Sequence, residues 1–325
     1  QLRAPLRSEF AALSADMVGY WKTQTIYAGV ELGVYDALPG ASDQIASQLC
    51  LIQERLERLL RGLQELGLVL QTNGTWELTL RGQYLRTDHP ETLADAAREY
   101  ARPFSEMWES LPEALRTTGA WERPDVFGDV ARDQSRKISH HRMLQSYARH
   151  DYSNIAEALS LSGRERVIDA GGGLGVMAHL LRDASPELDV TVLERPEVIE
   201  QAQSTQRARA GVNWLAGDLF EPWNCQADVV VLARILHDWD DVAVGSILRR
   251  ARAALPEGGQ LFVVEMLMSN DSAGGALCDI HLLMATGGQE RSMDEYRTLF
   301  NENGFDLSEV RSLTTLSSIL VGVAK

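Results

Sequence analysis

The chain has 325 residues, 45% of them apolar and 24% charged, and a formal net charge of −15. That length admits two domains, and no run of about 18 apolar residues offers a membrane-spanning helix. Basic residues number 17 against 20 acidic ones over 1–150, and 14 against 26 over 151–325, a balance that disfavours nucleic acid and anionic membranes as partners.

The sequence opens on Gln1 rather than Met, so residues are expected to precede it, and what is visible has no signal-peptide pattern. Three widely spaced cysteines, Cys50, Cys225 and Cys278, fit a reducing cytoplasm better than a disulfide framework or a zinc site. Residues 8–38 read as one helix, with Met17, Tyr20, Trp21, Thr25, Tyr27, Ala28 and Leu32 recurring at threes and fours. A short helix capped by Ser42 and Asp43 follows, then a second from Gln53 to Leu66 that Gly67 terminates. Strands at 68–71 and 76–80 flank Asn73-Gly74, a strong hairpin signal. Three helices and a hairpin in this order describe a winged-helix unit. Its second helix balances Arg55, Arg58 and Arg61 with Glu54, Glu57 and Glu65, and residues 1–90 hold 8 bases and 10 acids. A DNA reader should show a basic footprint, so packing or dimerisation is the expected role.

Residues 90–150 read as helices interrupted at Pro103, Pro112, Gly119 and Pro124. They gather Phe104, Met107, Trp108, Trp121, Phe127, Met143 and Tyr147, either as helix-packing core or as the lining of a pocket for a flat aromatic ligand. From about 155 onward, strands are expected at 167–170, 190–194, 212–215, 228–232, 261–266, 307–310 and 319–324, with helical patterns between most of them. That alternation predicts a mostly parallel sheet covered on both faces.

Four stretches carry chemistry. Val167, Ile168, Asp169 and Ala170 form a buried strand that runs into Gly171, Gly172, Gly173 and Gly175. Such a turn lets a nucleotide approach the backbone closely, and Asp169 beside it suits a cationic ligand better than a pyrophosphate. Glu194 ends the next strand, where an acid can accept from both ribose hydroxyls. Gly217 and Asp218 end the third strand, placing an acid for an adenine amine and Leu219 or Phe220 for its ring. After the fourth strand comes Arg234-Ile235-Leu236-His237-Asp238-Trp239, with a histidine poised to take a proton near neutral pH. Glu265 and Glu290 lie downstream, and carboxylates near an imidazole fix its tautomer and stabilise its cation.

Gly171 to Gly175, Gly217-Asp218, Leu236 to Trp239 and Gly287-Gly288-Gln289-Glu290-Arg291-Ser292, in this order, resemble the S-adenosylmethionine-dependent O-methyltransferases. These include the plant caffeate and flavonoid enzymes and bacterial relatives of antibiotic and phenazine pathways. The resemblance runs from about residue 17 to the C-terminus, and Asp279 to Met284 is especially like the phenazine enzymes.

It implies an α/β Rossmann-like class I methyltransferase domain with a mixed seven-stranded sheet over 153–325. It also implies a winged-helix homodimerisation domain over 1–95 and a helical linker over 96–152 that contributes to the pocket. S-Adenosylmethionine would be bound by Asp169, Gly171, Gly173, Glu194, Arg195, Gly217, Asp218, Leu219, Phe220, Arg234 and Trp239. His237 would be the base, held by Glu265 and Glu290. Trp108, Met143, Tyr147, Asp238, His281 and Met284 would face a hydroxylated aromatic acceptor. Three alternatives stay open at this point. They are N- or C-methylation or hydroxylation on the same scaffold, an iron site of His237, Asp238 and His281, and a ligand-sensing regulator. No resident metal is expected.

Overall fold

In a computed structural model the described residues are 8–116, 121–205, 211–269 and 275–325; Gly119, expected as a helix breaker, lies outside them. The chain divides into two compact units, up to Glu106 and from Met107 onward.

The first unit begins with three helices, α1 (Glu9–Met17), α2 (Tyr20–Glu31) and α3 (Val34–Ala37), where one was expected. The expected helix breaks at its glycines. Gly33 adopts φ +71°, which only glycine takes without strain, and a Cβ at Gly19 would stand 2.9 Å from the Asp16 carbonyl oxygen. Strand β1 (Gly40–Ala41) precedes α4 (Ser42–Leu49) and α5 (Gln53–Glu65). The latter buries Leu56, Leu60 and Leu63 along one stripe. Strands β2 (Val69–Thr72) and β3 (Thr75–Leu78) form the expected hairpin, with Asn73 at φ 52° and Gly74 at φ 84°, and β1 adds to β3 as a third antiparallel strand. Val30, Val34, Tyr35, Ile45, Leu60, Leu63 and Trp76 share the core of this unit. Helices α6 (Leu80–Gln83) and α7 (Ala94–Ala101) follow, and the unit boundary falls within α8 (Pro103–Trp108).

The second unit continues through α9 (Leu111–Ala114), α10 (Val126–Arg132), α11 (Gln134–Asp151) and α12 (Ile155–Leu159) into alternating strands and helices. These are β4 (Arg166–Ala170), α13 (Val176–Ala184), β5 (Asp189–Glu194), α14 (Pro196–Thr205), β6 (Val212–Ala216), β7 (Val229–Ala233), α15 (Asp241–Ala254) and β8 (Gln260–Glu265). Next come β9 (Leu267–Met268), α16 (Ala276–Ala285), β10 (Arg291–Ser292), α17 (Met293–Glu302), β11 (Phe305–Ser312) and β12 (Ser318–Ala324).

Among the described residues the main sheet has seven strands in the order β11-β12-β8-β7-β4-β5-β6. The pairs from β8 to β6 are parallel, and β12 pairs antiparallel with β8 and with β11. In β7, Val229 and Val231 enter one core cluster and Val230 and Leu232 the other, as a strand covered on both faces requires. Sequence order runs outward from β4 in opposite directions, which opens a crevice at the strands' C-terminal ends between β4 and β7. A second, two-stranded pairing was not expected: β9 runs parallel to β10, with Leu267 opposite Arg291 and Met268 opposite Ser292. It draws residues 265 and 290 together.

Candidate active site

The glycine turn after β4 forms one wall of the crevice. Gly171 and Gly175 sit at φ +74° and +76°, and a Cβ on them would stand 2.5 Å from Ile235 Cδ1 and 2.9 Å from Trp214. Gly173 is different: at φ +57° its Cβ would meet nothing within 4 Å. A side chain there would fill open space in front of the turn. Asp169 is buried beneath it, and its Oδ2 has no hydrogen-bond partner. Burial, and then the neighbouring Glu194, push its carboxyl up to about 7. Glu194 accepts from the backbone N–H of Arg195 at 2.8 Å and of Gly173 at 3.2 Å, yet burial still holds its carboxyl above the ordinary range. Two acids beside an open glycine turn, one with an unpaired oxygen, fit a cationic adenosyl ligand and not a pyrophosphate.

Further along the crevice the Asp218 carboxylate accepts from the Phe220 backbone N–H at 2.8 Å, closing a tight turn. The Gly217 N–H reaches the Glu194 carbonyl at 3.0 Å, tying this turn to the end of β5. Trp239 meets the Phe220 ring edge-on, centroids 4.9 Å apart, and lies nearly parallel to Phe127 of α10 at 6.3 Å. Leu219 packs against the adjoining core cluster. The Arg195 guanidinium pairs with Glu197 at 3.3 Å on the surface.

The other wall follows β7. Arg234 leaves the strand at φ 53°, in the left-handed region, and a single helical turn carries Leu236 to Asp238. Glu265, wholly buried at the end of β8, reaches this turn in two ways. Its Oε1 accepts the successive backbone N–H groups of Ile235, Leu236 and His237 at 3.1, 2.9 and 3.3 Å. Its Oε2 accepts from Arg234 Nη1 at 3.2 Å. Glu290 takes Arg234 Nη2 at 3.0 Å and is itself placed by its N–H donating to Asp279 at 2.8 Å.

His237 is buried, with Nδ1 3.6 Å from Glu290 and 3.8 Å from Glu265, and Nε2 3.7 Å from Asp238. Burial opposes its protonation, but Glu265, then Asp238 and Glu290, outweigh it and raise the imidazole above its ordinary range. Burial opposes the charge of Arg234 as well, and the same two carboxylates hold it firmly protonated.

Arg234, expected against the cofactor, thus has its guanidinium engaged between Glu265 and Glu290. This bears on metal binding too. His237, Glu265 and Glu290 are the described residues whose ligand atoms gather within 4.8 Å, not the set of His237, Asp238 and His281. The guanidinium of Arg234 already supplies the cation for that cluster.

The acceptor-facing residues divide. Trp108 donates its indole N–H to His281 Nδ1 at 3.1 Å, and burial, then His237, hold the His281 imidazole below its ordinary range. Its proton therefore resides on Nε2. Met143 and Met284 are buried, and Tyr147 is half-buried. The sequence reading quotes Gly288, Arg291 and Asp279 within its motifs without a role for any of them, and it does not single out Asp241. Nothing in the spacing of Arg291 marks it as buried.

The O-methyltransferase domain family matches residues 107–306. The 3-amino-4-hydroxybenzoate 4-O-methyltransferase of Streptomyces cremeus is 33% identical over 318 residues, covering 91% of this chain and 85% of that protein. Among solved structures, LaPhzM superposes with a TM-score of 0.90 at 25% identity, over 98% of this chain and 100% of that one. Human N-acetylserotonin methyltransferase in complex with SAM gives 0.89 at 23% identity, over 99% of each, a likeness of fold. The acidic glycine cradle, the strand order and these matches together make the chain a member of the S-adenosylmethionine-dependent O-methyltransferase family.

Proposed function

We propose that this enzyme methylates a hydroxyl of an aromatic or polycyclic small molecule of secondary metabolism, with His237 as general base. The observation that carries the reading is the buried imidazole at the end of β7, its Nδ1 turned toward two carboxylates. Nε2, 3.7 Å from the Asp238 carboxylate, is the atom assigned to take the acceptor's proton. A relative named for 3-amino-4-hydroxybenzoate, and others named as a phenazine O-methyltransferase and a mitomycin-biosynthesis O-methyltransferase, support the class of acceptor.

S-Adenosylmethionine, when bound, supplies an already activated sulfonium methyl. Asp169, Gly171 and Gly173 hold its methionine end, Glu194 with Arg195 the ribose, and Gly217, Asp218, Leu219, Phe220 and Trp239 the adenine. The chain's remaining work is to orient the acceptor, exclude water and accept a proton. A phenol of pKa near 10 is mostly protonated at neutral pH, so a positioned base adds roughly 10²–10⁴-fold. Trp108, Met143, Tyr147, Asp238, His281 and Met284 surround the acceptor, with the helices over 107–152 as the pocket's wall, and residues 1–95 serve as a dimerisation domain. A mass-spectrometric screen of hydroxylated benzoates, naphthoates and phenazines with S-adenosylmethionine should return at least one product heavier by CH2, with the methyl replacing the hydrogen of a hydroxyl. Uptake of the methyl on carbon or nitrogen throughout the screen would overturn the reading.

A further inference from the structure

We infer that Arg291 is a positioning residue for the base. The stretch from Gly288 to Arg291 would hold the backbone of the His237 turn from one side while Glu265 holds it from the other. This rests on the assignment of His237 above, but its evidence is separate.

Arg291 is fully buried, a costly place for a guanidinium unless every donor is used. Its Nη1 donates to the Leu236 carbonyl at 3.0 Å and its Nη2 to the Trp239 carbonyl at 2.7 Å. Its Nε donates to Asp241, at the start of α15, at 2.9 Å. One rigid cation therefore ties both ends of the turn to the helix that follows.

The neighbouring backbone completes the grip. The Gln289 N–H donates to the His237 carbonyl at 2.8 Å. At Gly288 a Cβ would collide with that same carbonyl oxygen and with the backbone of Asp238, so only glycine admits the contact. Across the turn, Glu265 accepts three consecutive N–H groups. Carbonyls are taken from one side and amides from the other.

The imidazole itself makes no hydrogen bond at Nδ1, where the two carboxylates stand 3.6 and 3.8 Å away. The aim of the base is therefore set through its backbone. Lysine keeps the charge of arginine but loses its planar fork, so it cannot serve both carbonyls and Asp241 together.

Hydrogen–deuterium exchange of the S-adenosylhomocysteine-bound enzyme tests this, read on peptides covering 235–241, β4 and β8. Arg291→Lys should speed exchange of the turn's amides at least tenfold, leave β4 and β8 unchanged, and keep product-cofactor affinity within about threefold. With a phenolic acceptor, kcat should fall at least tenfold with KM little changed, and Gly288→Ala should reproduce both effects with Arg291 intact. Unaltered exchange at the turn in folded Arg291→Lys would overturn the proposal. So would loosening shared equally by β4 and β8. If Arg291→Lys does not fold, Gly288→Ala decides by the same readings. Should His237→Ala retain full turnover while the turn still loosens in Arg291→Lys, the base assignment fails and the clamp on the turn stands.

Discussion

At the scale of single residues, two acid–base groups set the enzyme's response to pH. In the proposed role of base, His237 acts only after losing its proton, and its carboxylate neighbours hold that proton more tightly than an ordinary imidazole does. Turnover on a phenol should therefore climb with pH through a midpoint above 6.5. The same group stabilises the fold below about 6.5, a contribution that disappears as pH passes its native value. His237→Ala should lower kcat by roughly 10²–10⁴-fold and abolish this climb, with S-adenosylhomocysteine affinity unchanged by calorimetry.

Asp169 also loses stability as pH rises, but because burial favours its neutral form over its charged one. Its carboxyl ionises near 3.8 when exposed and at about 7 when buried. The free enzyme is therefore progressively destabilised between those values, by up to about 4 kcal/mol. A cationic ligand repays this by favouring the ionised acid, so affinity for S-adenosylmethionine should weaken as pH falls below 7. Asp169→Asn should raise the melting temperature of the free enzyme at pH 7 while weakening cofactor binding and flattening its pH dependence. A melting temperature lowered by this substitution would contradict the account.

At the scale of elements, the glycine turn between β4 and α13 separates stability from binding. Gly173 and Gly175 both need the left-handed region, which costs an alanine about 1–2 kcal/mol. Only Gly175 also faces a packed neighbour, Trp214, so Gly175→Ala should lose roughly 2–4 kcal/mol through strain and overpacking combined. Gly173→Ala should lose only the strain, yet bind S-adenosylhomocysteine far more weakly because its methyl group enters open space meant for a ligand. Thermal melts and calorimetry on the two variants distinguish these outcomes.

The short β9–β10 pairing is the other decisive element. It is four residues in all, two per strand, and it brings together Glu265 and Glu290, which lie 25 positions apart in sequence. No periodicity announces a two-residue strand, and so the sequence reading gave both carboxylates to the imidazole. The structure gives Glu265 mainly to the backbone of the turn and shares both with Arg234.

At the scale of the whole molecule, α1 and the start of α2 present an apolar face to solvent. Phe10 is 84% exposed, Met17 66% and Trp21 58%, and α1 buries none of its residues. A patch of this kind marks an association surface. A second copy of the chain is the expected occupant, and Phe10→Glu with Leu13→Glu should convert a sedimenting dimer to monomers without altering the melting of the second unit. A monomeric wild type would refute this. No helix among the described residues is long and apolar enough to cross a membrane.

The sequence by itself determined the seven strands of the main sheet in chain order, the glycine turn, the row of acids at strand ends and the histidine after β7. Each is written in local periodicity or in residues whose chemistry is rare at that place. Tertiary structure alone decided which charges meet. Arg234 was expected at the cofactor and lies between two carboxylates. Arg291, quoted in a motif without a role, is fully buried, and the one expected helix over 8–38 is three. Ion-pair partners separated by tens of residues depend on the register of pairing and on burial, and neither leaves a mark in the local sequence.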